Sequence, residues 1–302
     1  MSDHSSGAGS NTELREFLRS RRARITPEEA GLPPQPGTRR VPGLRREEVA
    51  QLAGVSVDYY VRLERGRNVN ASESVLDALA HALHLNETER GHLFAVAKPT
   101  RRQSRPLPPQ QVRPGLYRVL ETMPDAPAMV LGRRMDVLAS NPLARALFTD
   151  FDALPHRERN MLRYLFLDEA ARELYVDWVG AARGAVAALY LYAGRYPHDP
   201  RLAELIGDLS LRDEDFRRWW ADHNVLRRTH GVKRYHHPLV GDLTLGYEAL
   251  TPAGDPDQTL GLHTAARGSP SEQALRLLAS WTSEPPQPTT IPPNRPAASE
   301  ER

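Results

Sequence analysis

The sequence predicts two domains of different class: an all-α domain of five helices at the N-terminus, followed by an α+β domain. Three observations carry this. Apolar residues recur every three or four positions in five segments between residues 12 and 97. A stretch rich in Pro, Arg and Gln follows, residues 98–114, where Pro106, Pro108 and Pro109 exclude a continuous helix. Beyond it, period-two runs stand at both ends of a region that is otherwise helical in pattern.

The first N-terminal helix is expected over Thr12–Arg24, with Leu14, Phe17 and Leu18 on one face. A long loop, Ile25–Gly43, carries five prolines together with Arg39 and Arg40. Helices are then expected over Leu44–Ala53, Val57–Arg65, Ser74–Leu83 and Glu87–Ala97. Residues 1–10 are polar and small and are expected to be disordered, and 98–114 is expected to be a semi-rigid linker.

In the second domain, residues 115–282, a helix over Gly115–Met123 is expected to end before Pro124. Short strands over Ala128–Leu131 and Asp136–Ala139 precede a helix over Pro142–Phe148. Helices follow over Glu158–Leu167, Glu169–Ala193, Leu202–Ser210 and Asp213–His223. Val232–His237 then reads as a strand, as do the alternations Leu243, Leu245, Tyr247 and Leu260, Leu262, Thr264. A last helix is expected over Ser271–Ser280, and residues 283–302 have too little apolar surface to fold. Strands at both ends with helices between them suggest one antiparallel sheet covered on one side.

Composition narrows the classes. The chain has no Cys, which excludes disulfides, thiolate zinc sites and cysteine nucleophiles. Neither a secretory leader nor an apolar run long enough to span a bilayer is visible, so a cytoplasmic location is expected. Residues 1–105 hold 17 basic and 13 acidic side chains, the remainder 23 and 25. The positive excess at the N-terminal end suits a polyanionic partner.

The most informative stretch is PGLRREEVAQLAGVSVDYYVRLERGR, residues 42–67. Val49, Leu52 and Ala53 form an inward stripe, and the small Ala50 permits a close helix crossing. Gly54 supplies the positive φ that reverses the chain, Val55 plugs the turn, and Ser56 is a preferred N-cap. Tyr60 and Leu63 face inward at a spacing of three, and Gly66 ends the helix. A generic helical hairpin shares part of this pattern; the ordered set Ala50, Gly54, Val55, Ser56, Leu63, Glu64 and Gly66 is the signature of a helix-turn-helix.

These residues resemble the XRE or lambda-repressor type of helix-turn-helix, and the wording of the stretch resembles the MmyB-like regulators of actinobacteria. The resemblance implies a duplex-DNA partner, with base-reading positions at Val57, Asp58 and Arg62 and Tyr59 beside them. It places Arg46 at a phosphate, with Gln51 near the same backbone. Chemistry favours Arg62 as a base reader, because its fork matches guanine O6 and N7. Val57 fits a thymine methyl. Asp58 fits a cytosine amino group, or simply favours the helix dipole. Arg46, Arg65 and Arg67 suit phosphates or solvated surface, and Arg39 and Arg40 are candidates to grip the backbone from the loop. Asn68 and Asn70 are alternative caps for the next helix.

The resemblance continues through APAMVLGRRMDVLASNPLARALF, FRRWWADHNV and HPLVGDLTLGYEALTPAGDPDQTLGLHTA, and so covers roughly residues 12–282. It implies a PAS-like sensor domain that binds a small, apolar, fatty-acid-like effector. Phe216, Trp220 and His223 share one helical stripe and are candidate ligand contacts, with ordinary core packing as the alternative. A homodimer is expected, because one recognition helix reads too few base pairs, and coupling between effector and DNA is expected through dimer geometry. No cofactor or metal is expected, since His236 and His237 are adjacent in a strand and point apart. No dinucleotide, phosphate-loop, nucleophile-elbow or zincin motif is present, so an enzyme is not expected. The alternative function is a constitutive DNA-binding protein whose second domain only dimerises or holds protein partners.

Overall fold

The computed structural model describes residues 8–33, 41–67, 71–97, 108–197, 199–225 and 229–283. The expectations for Arg39, Arg40, Asn68, Asn70, residues 98–107 and the tail from 284 onward lie outside them.

Five helices form the N-terminal domain: α1 (Ala8–Arg24), α2 (Arg46–Leu52), α3 (Val57–Glu64), α4 (Glu73–Ala82) and α5 (Glu87–Ala97). Helix α1 begins at Ala8, inside the stretch expected to be disordered. The core holds Phe17 and Leu18 from α1, Val49 and Ala50 from α2, Tyr60 and Leu63 from α3, Leu76 and Leu79 from α4, and Leu93 from α5. The long loop returns to α1 at Gly43, where an added Cβ would lie 2.6 Å from the Ala23 backbone, so only glycine lets the chain pass.

The second domain begins with α6 (Pro114–Glu121), then β1 (Ala128–Leu131), β2 (Val137–Ser140) and α7 (Pro142–Leu147). Helices α8 (Met161–Leu167), α9 (Glu169–Leu174), α10 (Trp178–Arg195), α11 (Pro200–Arg212) and α12 (Glu214–Ala221) lead to β3 (His230–His237), β4 (Gly241–Leu250), β5 (Thr259–Thr264) and α13 (Pro270–Ser283). The five strands form one antiparallel sheet in the order β2-β1-β5-β4-β3. This is the α+β architecture expected from the strand and helix pattern.

Three expectations need correction. The sheet is not covered on one side only. Met129, Val137, Tyr235, Leu243 and Leu245 face the helical core, while Ala128, Val130, Ala139 and Leu260 pack on the opposite face against Leu116 and Leu120 of α6. Residues 108–113 are not linker. Val112 is buried in that second core, Gln110 accepts from the Arg133 amide at 2.6 Å and donates to the Asp257 carbonyl at 3.0 Å, and the Gln111 carbonyl accepts from Gln258 at 3.0 Å. The helix expected over Glu169–Ala193 is two helices. Tyr175 bridges to Tyr235 of β3, the Val176 amide donates to the Arg234 carbonyl at 3.2 Å, and Asp177 caps α10 by accepting from the Gly180 amide at 2.9 Å.

On β3, His236 is exposed and lies 2.6 Å from Asp242, whereas His237 is buried and reaches the Ala146 carbonyl at 3.0 Å. The inner face of the sheet also carries His263, ringed by Phe148, Tyr235 and Tyr247. Burial, and secondarily Lys233, push the His263 imidazole down to about 3, so it is neutral at physiological pH. Among the described residues no helix is long and apolar enough to cross a membrane.

The two domains share buried surface. Tyr190 of α10 and Val225 after α12 belong to the core of the N-terminal domain, and α10 packs on α5. The two domains are thus in direct contact within one chain, apart from the linker between them.

Candidate functional site

The motif folds as its residues dictate. Ser56 accepts from the Tyr59 amide at 3.1 Å and opens α3. Gly54 and Gly66 sit at φ +64° and +67°, in the left-handed region where side chains are strained. Tyr60 and Leu63 are buried. That fixes the outward face of α3, where Val57, Asp58 and Arg62 are exposed and Tyr59 is half-buried against the core.

Arg62 and Asp58 pair with one another, Nε to Oδ2, at 3.4 Å. Both are largely exposed, and such pairs contribute little in water. The guanidinium can therefore leave Asp58 for another acceptor at small cost. Gln51 is exposed on α2, and Arg65 and Arg67 are exposed beyond the end of α3.

Arg46 is held differently. Glu64, buried at the end of α3, accepts from Arg46 Nε at 2.8 Å and from Arg22 Nη2 at 2.7 Å. Arg22 also donates to the Leu44 carbonyl at 2.8 Å. One buried carboxylate thus ties α1, α2 and α3 together and orients a half-exposed guanidinium at the start of α2. Sequence reasoning placed Glu64 in the motif signature without this role; its signal is an acid at an inward position beside Leu63.

The stripe expected to contact ligand falls at the domain junction. Phe216 is fully buried and stacks on Trp220 with ring centroids 6.0 Å apart and planes within 8°. Trp220 packs on Tyr190 at 5.1 Å, and His223 Nδ1 lies 2.6 Å from the Tyr190 hydroxyl. From α1, Arg21 donates to the His223 carbonyl and Arg24 to the Asp222 carbonyl at 2.9 Å. Two cations thus meet the carbonyl end of α12, where the helix dipole favours them.

Behind these contacts lies a buried polar cluster. Arg21 pairs with Glu89 at 3.3 Å, and His92 lies 3.8 Å from Glu13. The His92 ring packs against Tyr190 and leaves no room for a Cβ at Gly194 of α10. Burial, then the nearby Glu16, push the Glu13 carboxyl up to about 8. Burial, then His223, push His92 down to about 4. The signs oppose. Folded Glu13 keeps a proton that the unfolded chain releases above about 4.5, so its contribution is complete below that value and is lost as pH rises to about 8. His92 is the reverse: its contribution is complete above about 6.5 and is lost as pH falls to about 4. The expected result is a thermal midpoint that declines between pH 6.5 and 8, a decline that Glu13→Gln removes. An unchanged alkaline slope in that variant would contradict the assignment.

Comparison with known proteins agrees with this division of the chain. A helix-turn-helix domain family matches residues 13–93. The family described as MmyB-like transcription regulator ligand binding domain matches residues 112–278. No curated protein matches the chain.

Proposed function

The chain belongs to the MmyB-like transcription regulators, DNA-binding proteins that carry a small-molecule-binding domain, and we propose that an apolar effector controls its grip on duplex DNA through the junction between the two domains. The observation that carries this reading is the shared core: Tyr190 and Val225 of the second domain are packed inside the DNA-binding domain.

In this reading Arg62 and Val57 meet base edges, with Asp58 and Tyr59 beside them, while Arg46, Arg65, Arg67 and Gln51 hold phosphates and set register. The loop arginines Arg39 and Arg40 belong to the same backbone grip. The effector is fatty-acid-like and inserts along Phe216, Trp220 and His223. Occupation of that stripe parts Trp220 and His223 from Tyr190, and so loosens α10 and α12 from α1 and α5. An effector acts only through different affinities for two states, and in this reading those are the junction packed as observed and the junction with these contacts parted.

The test begins with selection of a preferred operator from random duplexes. Arg62→Ala should cost about 1–3 kcal/mol on that operator and relax preference at one base pair. Arg46→Ala should weaken every sequence alike and make the salt slope shallower by about one. Wild-type binding by both variants would remove the assigned surface.

Homodimerisation belongs to the same proposal. Two recognition helices on a two-fold operator would read half-sites about 10 base pairs apart. Sedimentation of the complex should give two chains per operator; a strict one-to-one complex on the best site would contradict it.

A further inference from the structure

The arginines assigned to phosphates are not alone. Arg15, Arg19 and Arg22 recur on α1 at intervals of four and three, so they form one row along a single face of the helix. That row is one wall of a cleft of about 670 Å³ whose other wall is Arg46, Arg65 and Arg67. The only carboxylate in the lining is Glu64, and it is already engaged by Arg22 and Arg46. No carboxylate among the described residues pairs with Arg15, Arg19, Arg65 or Arg67. Six guanidiniums against one engaged acid give the cleft a concentrated positive field, which draws a polyanion to it.

We propose that the α1 row is a second backbone grip, which takes the flank of the DNA beyond the base pairs that α3 reads. The inference rests on the DNA-binding reading above and extends it to residues that the motif does not include. Continuity is the argument for duplex as occupant. Arg46, placed at the phosphate nearest the motif, is itself part of the cleft, so a strand held there runs on between the two walls. Arg15 and Arg19 are about 6 Å apart along the axis at 1.5 Å per residue, so they meet different parts of that strand. Both are exposed, and neither contributes to the core, so their removal leaves the fold intact.

The experiment uses the full chain and compares Arg15→Ala/Arg19→Ala with wild type by fluorescence anisotropy at several salt concentrations. Duplexes with long and with trimmed flanks are used. Each lost phosphate contact lowers the salt slope by about 0.9, so the double variant should be shallower by about two, a roughly tenfold smaller loss of affinity between 50 and 200 mM salt. On the trimmed duplex, wild type and variant should converge. A control, Arg217→Ala/Arg276→Ala, removes two exposed charges from the second domain and should leave slope and flank dependence as they are. A wild-type slope and flank dependence in the α1 variant would overturn the proposal. So would tight binding of inorganic tripolyphosphate that the variant loses in the absence of DNA, since the cleft would then serve a soluble polyphosphate. Loss of base preference in Arg62→Ala, alongside an unaffected α1 variant, would sink the second grip and spare the DNA-binding reading.

Discussion

Glu64→Ala should abolish tight operator binding and cost about 3–5 kcal/mol of stability, the usual penalty for removing one partner of a buried ion pair. The side chain is 2% exposed and carries two guanidiniums. Without it Arg22, itself 13% exposed, loses its carboxylate in a site that water reaches poorly. Arg46 loses its anchor as well, and a free arginine must be ordered again at each phosphate it meets. The two losses separate cleanly. On the proposed reading, Arg46→Ala removes a phosphate contact while Glu64 keeps Arg22, so it should weaken DNA binding with little change in denaturation midpoint. Glu64→Gln keeps the volume and one acceptor and should fall between. Urea unfolding and anisotropy on the same samples decide it. A Glu64→Ala protein with wild-type stability would show that the carboxylate does not tie the three helices together.

Gly194→Ala is the second large effect, and its sign is set by tertiary contact rather than by helix propensity. Alanine in place of glycine inside a helix normally stabilises by about 1 kcal/mol. At Gly184, also in α10, an added Cβ meets nothing within 4 Å, so Gly184→Ala should show that gain. At Gly194 the Cβ would overlap the His92 ring, which is pinned between Phe17 and Tyr190. Overpacking of that kind costs about 1–3 kcal/mol. The strain is relieved by moving α10 away from α5, so the domains should separate in function before they unfold. Effector and operator would then bind independently, against a coupling that typically spans about 5–150-fold. A Gly194→Ala protein that retains both wild-type stability and wild-type coupling would contradict the junction as the route.

What the sequence disclosed and what it hid have the same physical origin. Gly54, Ser56 and Gly66 were legible because a turn, a cap and a helix end are decided within a few residues of themselves. The strands were legible where one face is apolar, as in Leu243, Leu245 and Tyr247 of β4. The break between α9 and α10 was not legible. No proline or glycine marks it, and it is imposed by Tyr175 reaching a strand sixty residues away. Residues 108–113 looked like linker because they end a stretch rich in Pro, Arg and Gln, while their ties to the sheet run through Gln110 and Val112. The stripe Phe216, Trp220 and His223 was visible as a stripe, but its partner Tyr190 was not. Nor does local spacing reveal that Glu13, Arg21 and His92 form one buried cluster facing α10 and α12.

The most direct test of effector control through the junction is a titration of long-chain fatty acids into the full-length protein, with and without saturating operator duplex. Linkage requires that operator change fatty-acid affinity by the same factor as fatty acid changes operator affinity. The account predicts two different affinities, a matching factor in the reverse titration, and loss of that factor in Trp220→Ala and Gly194→Ala. Tight fatty-acid binding with identical affinity in both titrations would contradict it.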